Sequence, residues 1–318
     1  FTSEISASVT INPDFSQVES DEAQIDVNST FALFYPERRP FFLEGRDIFD
    51  TEFNAVYTRS INDPLLAGKM IMRKGSNSFI FLSGYDENSI VTLPFEEESR
   101  FVANGRSASN LLRFKHDLGD GSYLGVVGTD RRFDGGGSGS LAGVDGRIRL
   151  TQSNSIEFQL LGTHTEEINS PELTDSAFNE KTFDGGKYTA ALDGEIFSGY
   201  AFTVEAERST GDYRVGLDYN ERSPTFRADN GFEPQNNNRI ASVNAGVIKR
   251  FEDGTVLENI NGDVNVAREW NFDGVQKDEW VNLSAELRFR AGQTGVHGSY
   301  LASNELFGGT QFNGIWQA

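Results

Sequence analysis

The 318-residue sequence has no cysteine, only eight prolines, and no apolar run longer than four or five residues. The absence of cysteine excludes disulfides, thiol nucleophiles and Cys-ligated zinc. Short apolar runs such as Phe79-Ile80-Phe81-Leu82 fall well below the roughly 18 residues a membrane-spanning helix needs. They leave membrane-spanning strands open, because alternating strands average to a polar composition. Basic residues are the minority charge: 28 Lys and Arg face 48 Asp and Glu, for a net charge of −20. That field repels polyanions and excludes nucleic-acid binding by phosphate neutralisation. No GxSxG, HExxH or P-loop motif occurs, and the three histidines, His116, His164 and His297, are scattered. No basic segment followed by an apolar run opens the chain, so no signal peptide is visible. With Phe1 in first place, a mature protein or an excised piece is expected.

What the sequence does contain is period-2 alternation. Ala142, Val144, Gly146, Ile148 and Leu150 alternate with Gly143, Asp145, Arg147 and Arg149. Val281, Leu283, Ala285, Leu287 and Phe289 alternate with Asn282, Ser284, Glu286, Arg288 and Arg290. The same rhythm runs through 156–160, 200–207, 213–220 and 260–266. Several runs reach roughly 9–13 residues, nearer to tilted membrane strands than to the usual soluble strand of about 5–6. Asp120-Gly121, Ser198-Gly199, Thr210-Gly211-Asp212 and Asp253-Gly254 are read as tight hairpin turns. The long polar stretches 133–139, 166–186, 220–238 and 271–278 are read as loops. Tyr123, Tyr188, Tyr200, Tyr213, Tyr219, Trp270 and Trp280 stand near strand ends, where aromatic girdles belong. These features predict an all-β, antiparallel transmembrane β-barrel of roughly 14–18 strands, with residues 1–318 as one barrel domain. The last residues carry no terminal aromatic, which suggests truncation or a barrel completed by other residues.

One segment breaks the rhythm. Residues 34–50, FYPERRPFFLEGRDIFD, hold two prolines, paired arginines and clustered aromatics, and no regular strand accommodates them. The segment is expected to fold inward or to form a periplasmic cap. In one reading Arg38, Arg39, Glu37 and Glu44 form a salt-bridge knot with Phe41, Phe42 and Phe49 packed on the wall. In the other it is a lumen plug whose aromatics and arginines meet sugar.

Asn12-Pro13-Asp14-Phe15-Ser16-Gln17-Val18-Glu19, followed by Phe34-Tyr35-Pro36-Glu37-Arg38-Arg39-Pro40-Phe41-Phe42-Leu43-Glu44-Gly45, resembles blocks of a bacterial outer-membrane β-barrel family with no assigned activity. Its members carry NPDFGQVE-like and FPEKRPFFLEG-like sequences behind an N-terminal module of the family-nine carbohydrate-binding type, which this chain does not include. Tyr57-Thr58-Arg59-Ser60-Ile61, Thr129-Asp130-Arg131-Arg132-Phe133 and Asn230-Gly231-Phe232-Glu233-Pro234 are similar to later blocks. Gln235 stands where the family usually has Arg. The resemblance implies a barrel in a Gram-negative outer membrane and a link to carbohydrate.

In a barrel the polar strand face is the lumen. Candidate lumen or solute-binding residues are therefore Arg38, Arg39, Glu37, Glu44, Arg113, Arg131, Arg132, Arg147, Arg149, Glu205, Glu207, Arg288 and Arg290. These charges either pair in a wet interior or select and bind a solute, as rings of side chains do in pores; an inward Arg presents a donor fork suited to carboxylate or sulfate. Glu205/Glu207 and Asp193/Glu195 are i, i+2 pairs at a separation that glycoside hydrolysis could use, although chance pairs are expected among so many acids. Glu96-Glu97-Glu98, Asp117/Asp120 and Glu166/Glu167 invite Ca²⁺ by composition, but none has EF-hand spacing. The expectation is a non-enzymatic barrel that passes or binds polar solutes, above all oligosaccharides, with no cofactor and no metal. The alternatives are a structural barrel that anchors a binding domain or joins an envelope assembly, and a glycoside hydrolase. Expected partners are outer-membrane lipid and lipopolysaccharide, a polysaccharide ligand and an envelope protein.

Overall fold

The computed structural model describes residues 4–13 and 31–317. Much of the 12–19 block lies outside these residues. The fold is all-β with a few single-turn helices, as the alternation predicts. The strands are β1 (Ile5–Ile11), β2 (Pro64–Lys74), β3 (Asn77–Asp86), β4 (Ile90–Pro94), β5 (Ser99–Ala103), β6 (Ser107–Gly119), β7 (Ser122–Phe133), β8 (Ser138–Thr151) and β9 (Asn154–Glu166). They continue with β10 (Thr182–Phe183), β11 (Tyr188–Thr189), β12 (Ile196–Ser209), β13 (Tyr213–Arg222), β14 (Asn238–Arg250), β15 (Leu257–Trp270), β16 (Gln276–Phe289), β17 (Gly295–Phe307) and β18 (Thr310–Gln317). Fourteen of them form one sheet in the order β1-β2-β3-β6-β7-β8-β9-β12-β13-β14-β15-β16-β17-β18, while β4-β5 and β10-β11 are small separate hairpins. Neighbours in the large sheet are thus consecutive apart from these two excursions.

The connections are unequal. Residues 75–76, 120–121, 152–153 and 210–212 are tight turns, whereas 87–106, 167–195 and 223–237 are long. At Asp120 (φ 52°) and Gly121 (φ 77°) both residues take the positive φ that a type I′ hairpin turn demands. Ser198-Gly199, expected as a turn, lies inside β12. Gly199 is there because another piece of backbone comes close: a Cβ on it would stand 2.4 Å from the carbonyl oxygen of Thr225 and 2.5 Å from the nitrogen of Phe226. A strand glycine that admits a neighbouring backbone and a turn glycine look alike in sequence.

The chain divides into two compact units. In the first (Phe1–Gly146, Gln159–Phe202 and Arg222–Asn237), the register of β2, β3, β6 and β7 aligns alternate residues across the strands. One face presents Ala67 and Ile71, Ile80 and Leu82, Leu111, and Val127, all buried. The other presents Leu66, Met70, Leu112, Leu124 and Val126, all exposed. The buried face is covered by the insert 31–63 between β1 and β2. Its Phe42, Ile48, Phe49 and Ile61 cluster with Ile71, Ile80, Leu82 and Leu111, and Phe53 and Ala55 cluster with Val127, Leu141, Leu161 and Ala201. The connection 223–237, within the stretch 220–238 read as a long polar loop, also folds in and buries Phe226 and Ala228 in that second cluster.

In the second unit (Arg147–Phe158, Thr203–Glu221 and Asn238–Ala318), the ladders β14 to β17 set residues in rows. Val243, Val266, Val281 and Ala302 form one row, and Ala245, Val264, Leu283 and Tyr300 the next. The opposite face has the rows Asn244-Asn265-Asn282 and Gly246-Asp263-Ser284-Ser299.

Gly199→Val is expected to unseat 223–237. Overpacking of this kind costs about 1–3 kcal/mol, and limited proteolysis should then cut within 223–237. Gly211→Ala, whose Cβ meets nothing within 4 Å, should change neither unfolding nor cleavage; equal behaviour of the two variants would refute the close-approach reading.

Candidate functional site

The insert 31–63 contains two one-turn helices, α1 (Pro40–Leu43) and α2 (Arg46–Phe49), and a 3-10 turn, Thr58–Ser60. Pro40 starts α1, where its missing N–H costs nothing. Gly45, at φ 82°, turns the chain between the helices. Each short helix leaves carbonyl oxygens without intrahelical donors, and wall cations supply them. Lys69 on β2 donates from Nζ to the carbonyl oxygens of Phe41 (2.5 Å) and Glu44 (3.0 Å). Arg113 on β6 donates from Nε to the carbonyl of Ile48 (3.2 Å). Arg131 on β7 donates to the carbonyls of Ser60 (2.9 Å), Ile90 (2.9 Å) and Asp229 (2.8 Å), and to Ser107 Oγ (3.1 Å).

These buried cations are balanced locally. Arg113 forms a two-toothed pair with Asp145 on β8 (2.5 and 2.6 Å), and Gly125 leaves room for the guanidinium, since a Cβ there would lie 2.4 Å from it. Asp86 lies 3.9 Å from Arg131 and accepts the backbone N–H groups of Asn62 (3.0 Å) and Asp63 (2.5 Å). Within the insert, Arg39 grips Glu37 through Nε and Nη2 (2.9 and 2.8 Å) and also donates to the carbonyls of Ile61 and Thr58. Thr58 Oγ1 donates to Glu37 (2.6 Å). Burial alone raises the Glu37 carboxyl; the hydrogen bonds and charge of Arg39, with the Thr58 hydroxyl, more than reverse this and hold it below its ordinary value. Two cavities in this unit measure about 50 and 20 Å³, space for little more than water.

The polar face of the second unit is open. Arg214, Asn261, Asp263, Ser284, Glu286 and His297 border a cavity of about 410 Å³. Asp218 accepts from Asn244 (2.5 Å) and Ser242 (3.1 Å), Asn265 donates to Asn244 (2.6 Å), and the Trp280 indole donates to Asn265 (2.6 Å). Asn261 donates to Glu286 (3.3 Å), which also accepts from Arg288 (3.1 Å).

The expected residues therefore scatter among roles. Arg39, Glu37, Arg113 and Arg131 are buried struts of the first unit. Glu44 pairs with the wall residue Lys69 (2.8 Å) rather than with the arginines beside it, and Arg38 is exposed. Arg131 and Arg132, expected on one face, are neighbours on a strand and so point opposite ways; Arg132 is exposed and pairs with Asp130 (3.1 Å). Arg147 pairs across the strands with Glu157, and Arg149 is exposed on the same parity. Glu205 and Glu207 are half-buried on one face of β12. Arg288 lies on the open polar face. Arg290 lies past the end of β16 and ties down the 251–253 turn through the carbonyls of Phe251 (2.6 Å) and Glu252 (3.1 Å) and the carboxylate of Asp253 (3.0 Å). Sequence reasoning passed over Lys69 as a strut, although a lone lysine sharing the parity of Ala67 and Ile71 was the available signal. It also passed over Arg227, which reaches Glu167 (3.2 Å) and Asp229 (2.7 Å) from within a stretch read as a long polar loop.

Residues 3–74 match the family described as Domain of unknown function (DUF5916); this interval contains the 12–19 and 34–45 blocks. No curated protein matches the chain. Among solved structures, the chain is similar to OccAB1 of Acinetobacter baumannii at 12% identity and a TM-score of 0.42, over 74% of this chain and 62% of that one. It is also similar to OccK11 (OpdR) of Pseudomonas aeruginosa at 11% identity and a TM-score of 0.40, over 82% of this chain and 71% of that one. The match thus spans less than two thirds of the length of OccAB1.

Arg113→Met is expected to cost about 3–5 kcal/mol, because it leaves Asp145 buried and unpaired. The double variant Arg113→Met with Asp145→Leu should recover most of that loss in equilibrium unfolding; an additive loss would refute the pairing. Glu37 has the opposite pH sign from a buried, unpaired acid. Its folded value is depressed, so its contribution is complete above its ordinary value of 4.5 and is lost as pH falls through the lower folded value. The stability gap between wild type and Glu37→Gln should therefore narrow as pH falls below the ordinary value of 4.5; a constant gap would refute this.

Proposed function

We propose that this chain is the wall of an outer-membrane β-barrel whose apolar strand face meets lipid and whose polar face handles polar solutes. The observation that carries the reading is the sorting of the strands by parity. Leu66, Met70, Leu112, Leu124, Val126, Val243, Val266, Val281, Leu283 and Val296 are all exposed and all belong to the apolar parity of long strands. A soluble monomer rarely exposes contiguous apolar patches beyond about 300–600 Å², and rows of valine and leucine across four strands are the pattern of a lipid coat. At the ends of those strands the same face turns charged, with Arg268 paired to Glu279 (3.0 Å) and Asn304 donating to Glu279 (2.9 Å). In lipid the free edges of β1 and β18 would have to be paired, because backbone left open there is costly.

The solute class we favour is oligosaccharide. The open polar face offers amides (Asn244, Asn261, Asn265), paired carboxylate and guanidinium groups (Glu286, Arg288) and one indole (Trp280). Such groups hydrogen-bond hydroxyls without demanding a charged ligand. The family resemblance points the same way. A second reading, an anchoring barrel without passage, has its own observation: the first unit's buried face is covered by 31–63 and 223–237, and two cavities there have space for little more than water.

Two measurements test this. Val266→Arg and Val281→Arg should each lower stability in lipid vesicles by about 2–4 kcal/mol, whereas Ser284→Arg on the polar face should not. Changes within about 0.5 kcal/mol, as on a solvated surface, would sink the membrane reading. In planar bilayers the folded chain should conduct, and Asp263→Lys with Glu286→Lys should shift its ion preference toward anions. No conductance from well-folded protein would leave the anchoring reading in place of passage.

A further inference from the structure

Where β9 ends and β12 begins, the first unit gathers three carboxylates, and the pairing of Arg227 with Glu167 described above accounts for only part of one of them. Glu167 follows β9 directly; Asp193 and Glu195 flank Gly194 (φ 89°) just before β12. Short antiparallel contacts hold the two stretches together. The Glu167 N–H donates to the Glu195 carbonyl (2.9 Å) and the Ser170 N–H to the Leu192 carbonyl (2.7 Å), and Asn169 bridges Asp193. The result places one carboxylate oxygen from each of Glu167, Asp193 and Glu195 within 4.8 Å of one another.

Acidic clusters are common, and this one would be unremarked but for Glu167. Its side chain is only 5% exposed. One oxygen, Oε1, accepts from Arg227 (3.2 Å). The other, Oε2, is buried and has no hydrogen-bond partner. Arg227 is itself shared with Asp229 (2.7 Å). The donors that reach the other two carboxylates come from one residue, Thr189: its N–H to Glu195 (2.9 Å) and its hydroxyl to Asp193 (3.3 Å). A buried carboxylate oxygen without a donor is costly, and a cation at the point where the three carboxylates converge would satisfy it.

We propose that Glu167, Asp193 and Glu195 form a site for a hard divalent cation of the Ca²⁺ class. All three donors are oxygens, and the cluster contains no imidazole or thiolate, which disfavours zinc and copper. Glu167 closes the buried side, while Asp193 is exposed and Glu195 half-buried, leaving an open side for the waters that complete a coordination shell of six to eight. A bound cation would join the end of β9 to the start of β12, and through Arg227 it would fix the inward course of 223–237. The composition of Glu166/Glu167 alone hinted at calcium; its actual companions lie 26 and 28 residues away and share no spacing motif with it.

The test is calorimetric titration of the folded, metal-stripped chain with CaCl₂, and with MgCl₂ for comparison, alongside thermal unfolding with and without each salt. One Ca²⁺ per chain is expected, with affinity in the range of extracellular modules, about 10⁻⁴–10⁻³ M, a raised unfolding temperature and weaker Mg²⁺ binding. Asp193→Asn with Glu195→Gln, both away from the buried core, should weaken Ca²⁺ binding at least tenfold while the chain still folds. Glu167→Gln should abolish the Ca²⁺-dependent rise. Absence of both heat and unfolding shift at about ten times the weaker of those concentrations, or Ca²⁺ binding unaltered in the double variant, would overturn the proposal. Because neither readout needs conductance or lipid, failure here is distinguishable from failure of the membrane reading.

Discussion

A single-turn helix inside a protein cannot satisfy its own last carbonyls, and much of the first unit answers that constraint. Lys69, Arg113 and Arg131 stand on three wall strands, β2, β6 and β7, and each donates to a backbone carbonyl of a different turn in 31–63. The insert is therefore held by charge-assisted bonds at fixed points as well as by its aromatic packing. Hydrophobic clusters tolerate sliding, whereas a guanidinium bonded to four named acceptors does not. Asp145 and Asp86 then follow as necessities, since each buried cation needs a counter-charge in reach.

The two units solve the inward-facing problem differently. In the first, the face is covered by folded-in chain and its charges are consumed in tying that chain down. In the second, strands β13 to β16 carry a connected run of Asp218, Asn244, Asn265 and Trp280 and a second run of Asn261, Glu286 and Arg288, of which Asn261 and Glu286 border a cavity of about 410 Å³. The outward parity is apolar in both. Whatever the inner face does, the outer face obeys one rule, and that is why alternation dominates the sequence.

That rule made the fold legible. Strands at 142–150, 213–220, 260–266 and 281–289 could be read because a side chain's face is fixed by parity alone, and Asp120-Gly121 because two positive φ angles admit few residues. The site was less legible. Arg131 and Arg132 are the same letter twice, and only register says which one is buried. Ser198-Gly199 mimicked a turn because the glycine's reason, the backbone of Thr225 and Phe226, lies far along the chain. The stretch 220–238 looked solvated because its Asn, Asp and Arg are polar; that Arg227 is buried and paired with Asp229 and Glu167 is a fact of tertiary structure. Glu167, Asp193 and Glu195 meet through a β-bridge that no local pattern announces.

The sequence distances of the insert's anchors carry a consequence for biogenesis. Arg113 bonds a carbonyl 65 residues earlier and Arg131 one 71 residues earlier; the Phe53 N–H waits for Gln159, 106 residues on, and the Asn54 N–H for Glu233, 179 residues on. Delivered N-terminus first, the chain presents 31–63 long before the groups that receive it exist. Phe41, Phe42, Phe49 and Phe53 spend that interval without a core. Contacts of such separation form slowly, so this stretch is the part of the polypeptide left longest without its partners while the chain is incomplete.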